Sequence, residues 1–187
     1  IGEFDQMNHW LIDRGDGRPS VNLVILSFLH PMQVLGMDSA DPTTGVPVGM
    51  TREIVDYFKD EDIRVMMSIG GVTYTDAWDE ALATDATRLG LNAAAIAAQF
   101  NVGIEIDYER NTDPDLEGLQ AFIDACASGA LDADIAVVLS NNPDAQALQR
   151  AAAAGIDTAN GDTAAPFQPA FQCFDTAPVR RRGRVPF

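Results

Sequence analysis

Three apolar runs divide the first part of the chain: Val21 to Phe28 (VNLVILSF), Ile63 to Ile69 (IRVMMSI) and Val102 to Glu109 (VGIEIDYE). Segments of helical pattern lie between them. Strands that alternate with helices are joined by crossovers, which makes their sheet parallel. The middle run is the most constrained. Arg64 and Ser68 are its only polar members and Gly70-Gly71 ends it, the pattern of a buried strand that opens into a tight loop. The expected fold class is therefore α/β.

The third run is costly to bury. Successive side chains of a strand point to opposite faces, so Glu105, Asp107 and Glu109 share one face and Ile104, Ile106 and Tyr108 the other. Like charges spaced by roughly 7 Å, from a rise of about 3.3 Å per residue, raise one another's pKa, and partial burial raises it further. A carboxyl kept protonated beside an ionised partner is an acid catalyst's arrangement. Two other readings fit the same residues. One is a half-exposed antiparallel strand with a solvated acidic face; the other is an oxygen-ligand site for Mg²⁺ or Ca²⁺.

Ser68-Ile69-Gly70-Gly71, followed by Gly103-Ile104-Glu105-Ile106-Asp107-Tyr108-Glu109, resembles the paired signatures of family-18 glycoside hydrolases, the chitinase and endo-N-acetylglucosaminidase group. There S-x-G-G ends the third barrel strand and D-x-x-D-x-D-x-E the fourth. Ile1 to Phe4 looks like the first strand and Asn22 to Pro31 like the second, so the resemblance spans roughly residues 1–125. It implies substrate-assisted hydrolysis of N-acetylglucosamine-containing glycans. Glu109 matches the general acid, and Asp107 matches the residue that orients the 2-acetamido group whose oxygen is the nucleophile. Glu105 takes the place of an inner Asp behind them, and Val102 that of the outermost Asp; both departures weaken the relay between the carboxylates. The resemblance implies a carbohydrate ligand near Ser68, Gly70, Gly71, Tyr108 and Trp78, with no cofactor and no metal. Trp78 has a second reading, packing on the helix that follows Gly71, and this is the favoured one.

A closed barrel takes about 250 residues and rarely fewer than about 200, whereas this chain has 187. The expected architecture is an incomplete (β/α) TIM-barrel-like domain over 1–158, with about five parallel strands, open rather than closed. The family's later Tyr and its sugar-flooring Trp have no counterpart. Trp10 and Trp78 both lie in the first half and no Tyr follows Tyr108. Turnover is expected to be weak, since a transition-state contact of ~3 kcal/mol is worth more than a hundredfold in rate. The alternatives are a non-catalytic, carbohydrate-binding chitinase-like protein and a truncated or fused barrel fragment with a fortuitous hydrolase activity.

Leu119 to Thr158 resembles the early part of phosphoribosylglycinamide formyltransferases: a helix, a strand over Ile135 to Ser140, and an Ala-rich helix over Pro143 to Ala154 closed by Gly155. No His follows His30, and Asp113-Pro114-Asp115-Leu116-Glu117 replaces the phosphate loop, so formyl transfer is not expected. The two resemblances meet near 119–126, either the junction of a chimera or one more βα unit. From Ala159 periodicity fails, and 159–187 reads as an irregular Pro/Arg-rich tail. In it, Phe167, Phe171 and Phe174 suit an apolar surface and Arg180, Arg181, Arg182 and Arg184 an acidic one.

Hydrophobic content of 47% against 21% charged residues excludes global disorder. A net charge of −16 argues against nucleic acid and anionic membranes as partners. No stretch is apolar enough to cross a bilayer and no signal peptide is visible. The compartment is left open, although the family resemblance implies secretion. An open sheet leaves two unpaired edges, so a homo-oligomer is expected, formed through those edges or through the C-terminal tail. Cys126 and Cys173 are expected as free thiols, Met66 and Met67 as core, and His9 and His30 at turn and rim positions rather than on a metal.

Overall fold

The run ended by Gly70-Gly71 takes the centre of the sheet. In the computed structural model, which describes residues 1–110, 112–128, 137–140, 149, 152 and 157–160, β2 (Arg64–Gly70) lies between β1 (Leu23–Leu29) and β3 (Gly103–Asp107), all parallel. Val65, Met67 and Ile69 turn to one face with Leu29, and all four are buried. The expected α/β class with a parallel, open sheet is what forms, but in the first unit the sheet has three strands rather than five.

The helices follow from apolar residues at helical spacing. Ile1 to Phe4, expected as a first barrel strand, instead begins α1 (Gly2–Ile12). Phe4, Leu11 and Ile12 recur on one face of a 3.6-residue period and pack against the core, with the Phe4 ring edge-on to Tyr57 and Phe58. After β1 come the short α2 (Pro31–Leu35) and then α3 (Arg52–Lys59), which starts at the Thr51 cap and buries Val55 and Phe58. α4 (Thr75–Phe100) breaks at Asp85, whose backbone leaves helical geometry while its carboxylate accepts from the Arg88 amide at 2.9 Å, capping the second segment. α4 also satisfies α2: the Asn92 amide donates to the Val34 and Leu35 carbonyls at 2.8 and 3.1 Å, which lets a polar side chain sit 95% buried. Among the described residues no helix is long and apolar enough to cross a membrane.

α5 (Leu116–Ala127), capped by the Asp115 carboxylate, crosses α4 at Gly90. There an added Cβ would lie 2.3 Å from the Phe122 carbonyl oxygen and 2.8 Å from the Ala125 methyl. Phe122 fills the crossing and meets the Trp78 ring edge-on. Fully burying a side chain of this size stabilises by about 1.5–3 kcal/mol.

The chain divides into two compact units, 1–134 and 135–187. In the second, β4 (Val137–Ser140) falls within the predicted strand and pairs in parallel with β5 (Asp157–Asn160). Ala159 and Asn160, expected to open the tail, close β5 instead. Of the helix expected over Pro143 to Ala154, Gln149 and Ala152 are described and both are helical; the rest of it, with its Gly155 stop, lies outside the described residues, as does the tail from 161 with Cys173 and its arginines.

Gly90→Ala weighs two opposed effects. Helix propensity favours Ala by about 1 kcal/mol, while overpacking a close crossing costs about 1–3 kcal/mol. Because the nearest atom is a backbone carbonyl, the clash wins, and the variant is expected to unfold at lower denaturant concentration than wild type by chemical denaturation. A midpoint at or above wild type would place the two helices farther apart.

Candidate functional site

Register across the sheet decides which predicted residues meet. Ser68 stands between Ser27 on β1 and Glu105 on β3, and the next row toward the strand ends pairs Gly70 with Asp107. The row beneath is Ile25, Met66 and Gly103. This face is open: Ile25 is 42% exposed, and Ser27 and Gly103 are exposed. Glu105, half-buried on it, accepts a hydrogen bond from the buried Ser68 hydroxyl. Glu105 and Asp107 thus share a face as expected. Glu109 differs, because β3 ends at Asp107 and Glu109 stands in the exit loop.

The Gly70-Gly71 turn abuts that loop. The two glycines take φ of 120° and 90°, a region side chains disfavour. An added Cβ on Gly70 would lie 2.1 Å from the Asp107 carbonyl oxygen and 2.2 Å from the Trp78 ring nitrogen. One on Gly71 would lie 3.0 Å from the Phe28 ring. The Gly71 amide donates to the Asp107 carbonyl at 2.9 Å. The turn therefore has room for no side chain, and that closeness is what brings β3's end against β2's.

The electrostatics favour proton retention. Burial is the main cause that lifts the Glu105 carboxyl above its ordinary value; the Ser68 hydroxyl opposes it, and the charges of Asp107 and Glu109 add to it. Glu109 is also raised, first by desolvation and then by the charge of Asp107 and a hydrogen bond to it, against a contact with the Val72 backbone. Glu109 is itself exposed, so its proton is reachable from solvent.

Of two residues expected to bind substrate, Trp78 is buried and Tyr108 half-buried. Trp78 is 0% exposed and its ring nitrogen donates to the Ile69 carbonyl at 3.2 Å. Of its two readings the structure has packing, because a ring enclosed on both faces offers none to a sugar. Tyr108 packs on Trp78, donates to an Asp79 carboxylate oxygen at 2.6 Å, and accepts from the Asp115 amide at 3.1 Å. Its one hydroxyl proton is committed to Asp79, and burial is the first cause that raises its pKa.

Three neighbours were not anticipated from the sequence. Phe28 reads as core within an apolar run, but the β1–β2 register slips between Ser27 and Leu29, the Ser27–Phe28 peptide is cis, and the ring stands 42% exposed against Gly71. Asp79, on the first turns of α4, accepts from both Tyr108 and Arg110. Burial works against its ionisation, yet those two bonds outweigh it and hold its carboxyl below the ordinary value. The only signal in the sequence was an Asp and an Arg near the two motifs, with nothing to pair them.

The histidines lie apart from this face. His9, expected at a turn or rim, is on α1 and pairs with Asp5 at 3.0 Å, while His30 caps α2 and lies against Tyr74 with ring centroids 4.7 Å apart. Among the described residues no three or more His, Cys, Asp or Glu side chains converge as a cation site. Cys126 is a thiol pushed up to about 11 by burial. The chain matches no family model, no curated protein and no solved structure, so the two resemblances drawn above stand on the residues quoted for them.

A carboxyl raised in the folded state favours folding fully below its ordinary value, 4.5 for Glu105, and loses that contribution as pH rises through the folded value. Glu105→Gln removes the ionisation while keeping a partner for Ser68. The variant is expected to gain stability relative to wild type as pH rises from below 4.5 to neutrality, read from thermal melts across that range. A difference that does not change with pH would mean that Glu105 is solvated.

Proposed function

We propose that this chain is a chitinase-like hydrolase of N-acetylglucosamine-containing glycans, working weakly by substrate-assisted acid catalysis. The observation that carries the reading is the placement of Asp107 at the carboxyl end of a parallel strand, against the Gly70-Gly71 turn, with Glu109 just past it in the exit loop. Ligands of parallel α/β sheets bind outside the strands' carboxyl ends, and Glu109 there is exposed with its carboxyl raised. In this reading Glu109 donates its proton to the glycosidic oxygen as the bond to the anomeric carbon breaks. The substrate's own acetamido oxygen attacks that carbon, with Asp107 holding the amide in line. Water then opens the cyclic intermediate, and Glu109, now ionised, takes the proton from that water. Phe28 supplies an exposed apolar ring at the same rim, of the kind that packs on a sugar face.

A second reading has its own support. With Trp78 and Tyr108 committed to packing, the aromatic contact area left to hold a sugar is small, which suits a carbohydrate binder without turnover or a barrel fragment. Release of a chromophore from a chitobiose-type substrate separates them. Wild type is expected to be slow, and Glu109→Gln at least about a hundredfold slower still, the lower range for loss of a general acid. Equal rates would remove acid catalysis by Glu109, and binding without release in wild type would establish the second reading.

We also infer that two copies associate. Among the described residues β1 and β3 are the edges of the first unit's sheet, and Ile25 and Phe28 stand exposed on β1. Unpaired edges and apolar side chains invite a second copy. Light scattering at high concentration is expected to give at least twice the chain mass, and a clean monomer would overturn the inference.

A further inference from the structure

We propose that Asp79 is the positioning residue for Glu109, gripping the residues on either side of it with the two oxygens of one carboxylate. The inference rests on the reading of Glu109 as the acid. Glu109 lies beyond the last ladder bond of β3, so no sheet pairing fixes its backbone, and a reactive side chain on a loop needs other supports to keep its geometry. Those supports are present. Tyr108 donates to one Asp79 oxygen at 2.6 Å, and Arg110 donates to the other and also to Asp76 at 2.6 Å. The Asp115 amide closes the set by donating to the Tyr108 hydroxyl at 3.1 Å. Asp79 itself is well anchored, since it follows Trp78, which is wholly buried and bonded to β2. Side chains 108 and 110 go to α4, while that of 109 meets Asp107.

The same carboxylate isolates a cation. Arg110 is the residue after the acid, and an unpaired guanidinium there would draw Glu109 into an ion pair and stabilise its ionised form. Asp79 and Asp76 occupy it instead. Of the charged groups around Glu109, Asp107 at the end of β3 favours its proton, and Arg110 is held to α4.

Three variants separate this role from simple packing. Tyr108→Phe keeps the ring on Trp78 and changes no charge. It is expected to lower kcat about tenfold with KM little altered, because a loosened acid is misplaced in the transition state. Asp79→Ala leaves Arg110 only the exposed Asp76 as a partner and loosens its hold on α4, so the alkaline limb of the kcat/KM profile, where the acid loses its proton, is expected to move to lower pH. Asp79→Ala with Arg110→Met is expected to move the limb back, a rescue that lost packing does not predict. Carbon-13 NMR titration of the Glu109 carboxyl in the same proteins reads the same shift without turnover. A downward shift in Asp79→Ala, restored in the double variant, in a protein that releases no chromophore would uphold the positioning role and sink the hydrolase reading. Turnover abolished by Glu109→Gln but unchanged in rate and pH limb by Tyr108→Phe and Asp79→Ala would do the reverse. An unshifted titration in both Asp79 variants overturns the proposal, and should Asp79→Ala not fold, an unchanged kcat in Tyr108→Phe does so.

Discussion

The Gly71 amide donates to the Asp107 carbonyl, and this contact ties the end of the central strand to the start of the exit loop. It exists because Gly70 and Gly71 carry no side chains where the Asp107 backbone, the Trp78 ring and the Phe28 ring crowd in. Each neighbour comes from a different element: β3, α4 and β1. A methyl at Gly70 would force β3 and α4 away from β2 together. The ends of three strands and the first turns of one helix are thereby set against one another, and the carboxylates inherit their spacing from that.

Burial around this point is graded in a way that suits proton chemistry. Trp78 is enclosed and bonded through its nitrogen, Ser68 is enclosed and bonded to Glu105, and Glu105 is half-buried. Glu109, farther out, is exposed. Moving outward along β3 and its loop, desolvation falls while charge proximity persists, so the inner carboxyl is raised chiefly by burial, and the outer one owes part of its rise to Asp107. On the far side of the loop Asp79 has the opposite tendency, since the bonds it accepts outweigh its burial. Carboxyls held in opposite directions within one small region divide the work: Glu105 and Glu109 can keep a proton, and Asp79 on α4 serves as a fixed anion.

The alternation of apolar runs with helical segments, the central place of Ile63 to Ile69, and the sharing of one face by Glu105 and Asp107 were legible in the sequence. Each depends on local periodicity and on the unwillingness of apolar side chains to face water. Ile1 to Phe4 was misjudged because four residues cannot distinguish a period of 2 from one of 3.6; the helix is set by Phe4, Leu11 and Ile12 seven and eight residues apart. That Glu109 leaves the strand was hidden too, because alternation carries on in sequence after the hydrogen-bonded ladder has stopped.

By itself, then, the sequence determined the class of fold, the central strand, the double-glycine turn and the set of carboxyls from which any acid here must come. Tertiary structure alone decided which aromatic is enclosed and which is exposed, turning Trp78 inward beneath Gly70 and leaving Phe28 against Gly71. It also decided that Asp79 meets Tyr108 and Arg110, about thirty residues away along the chain. The physical reason is the same in both cases. Periodicity reports which side of its own element a residue faces, but partners between elements depend on strand register and helix placement, and those are fixed only when the packed core closes.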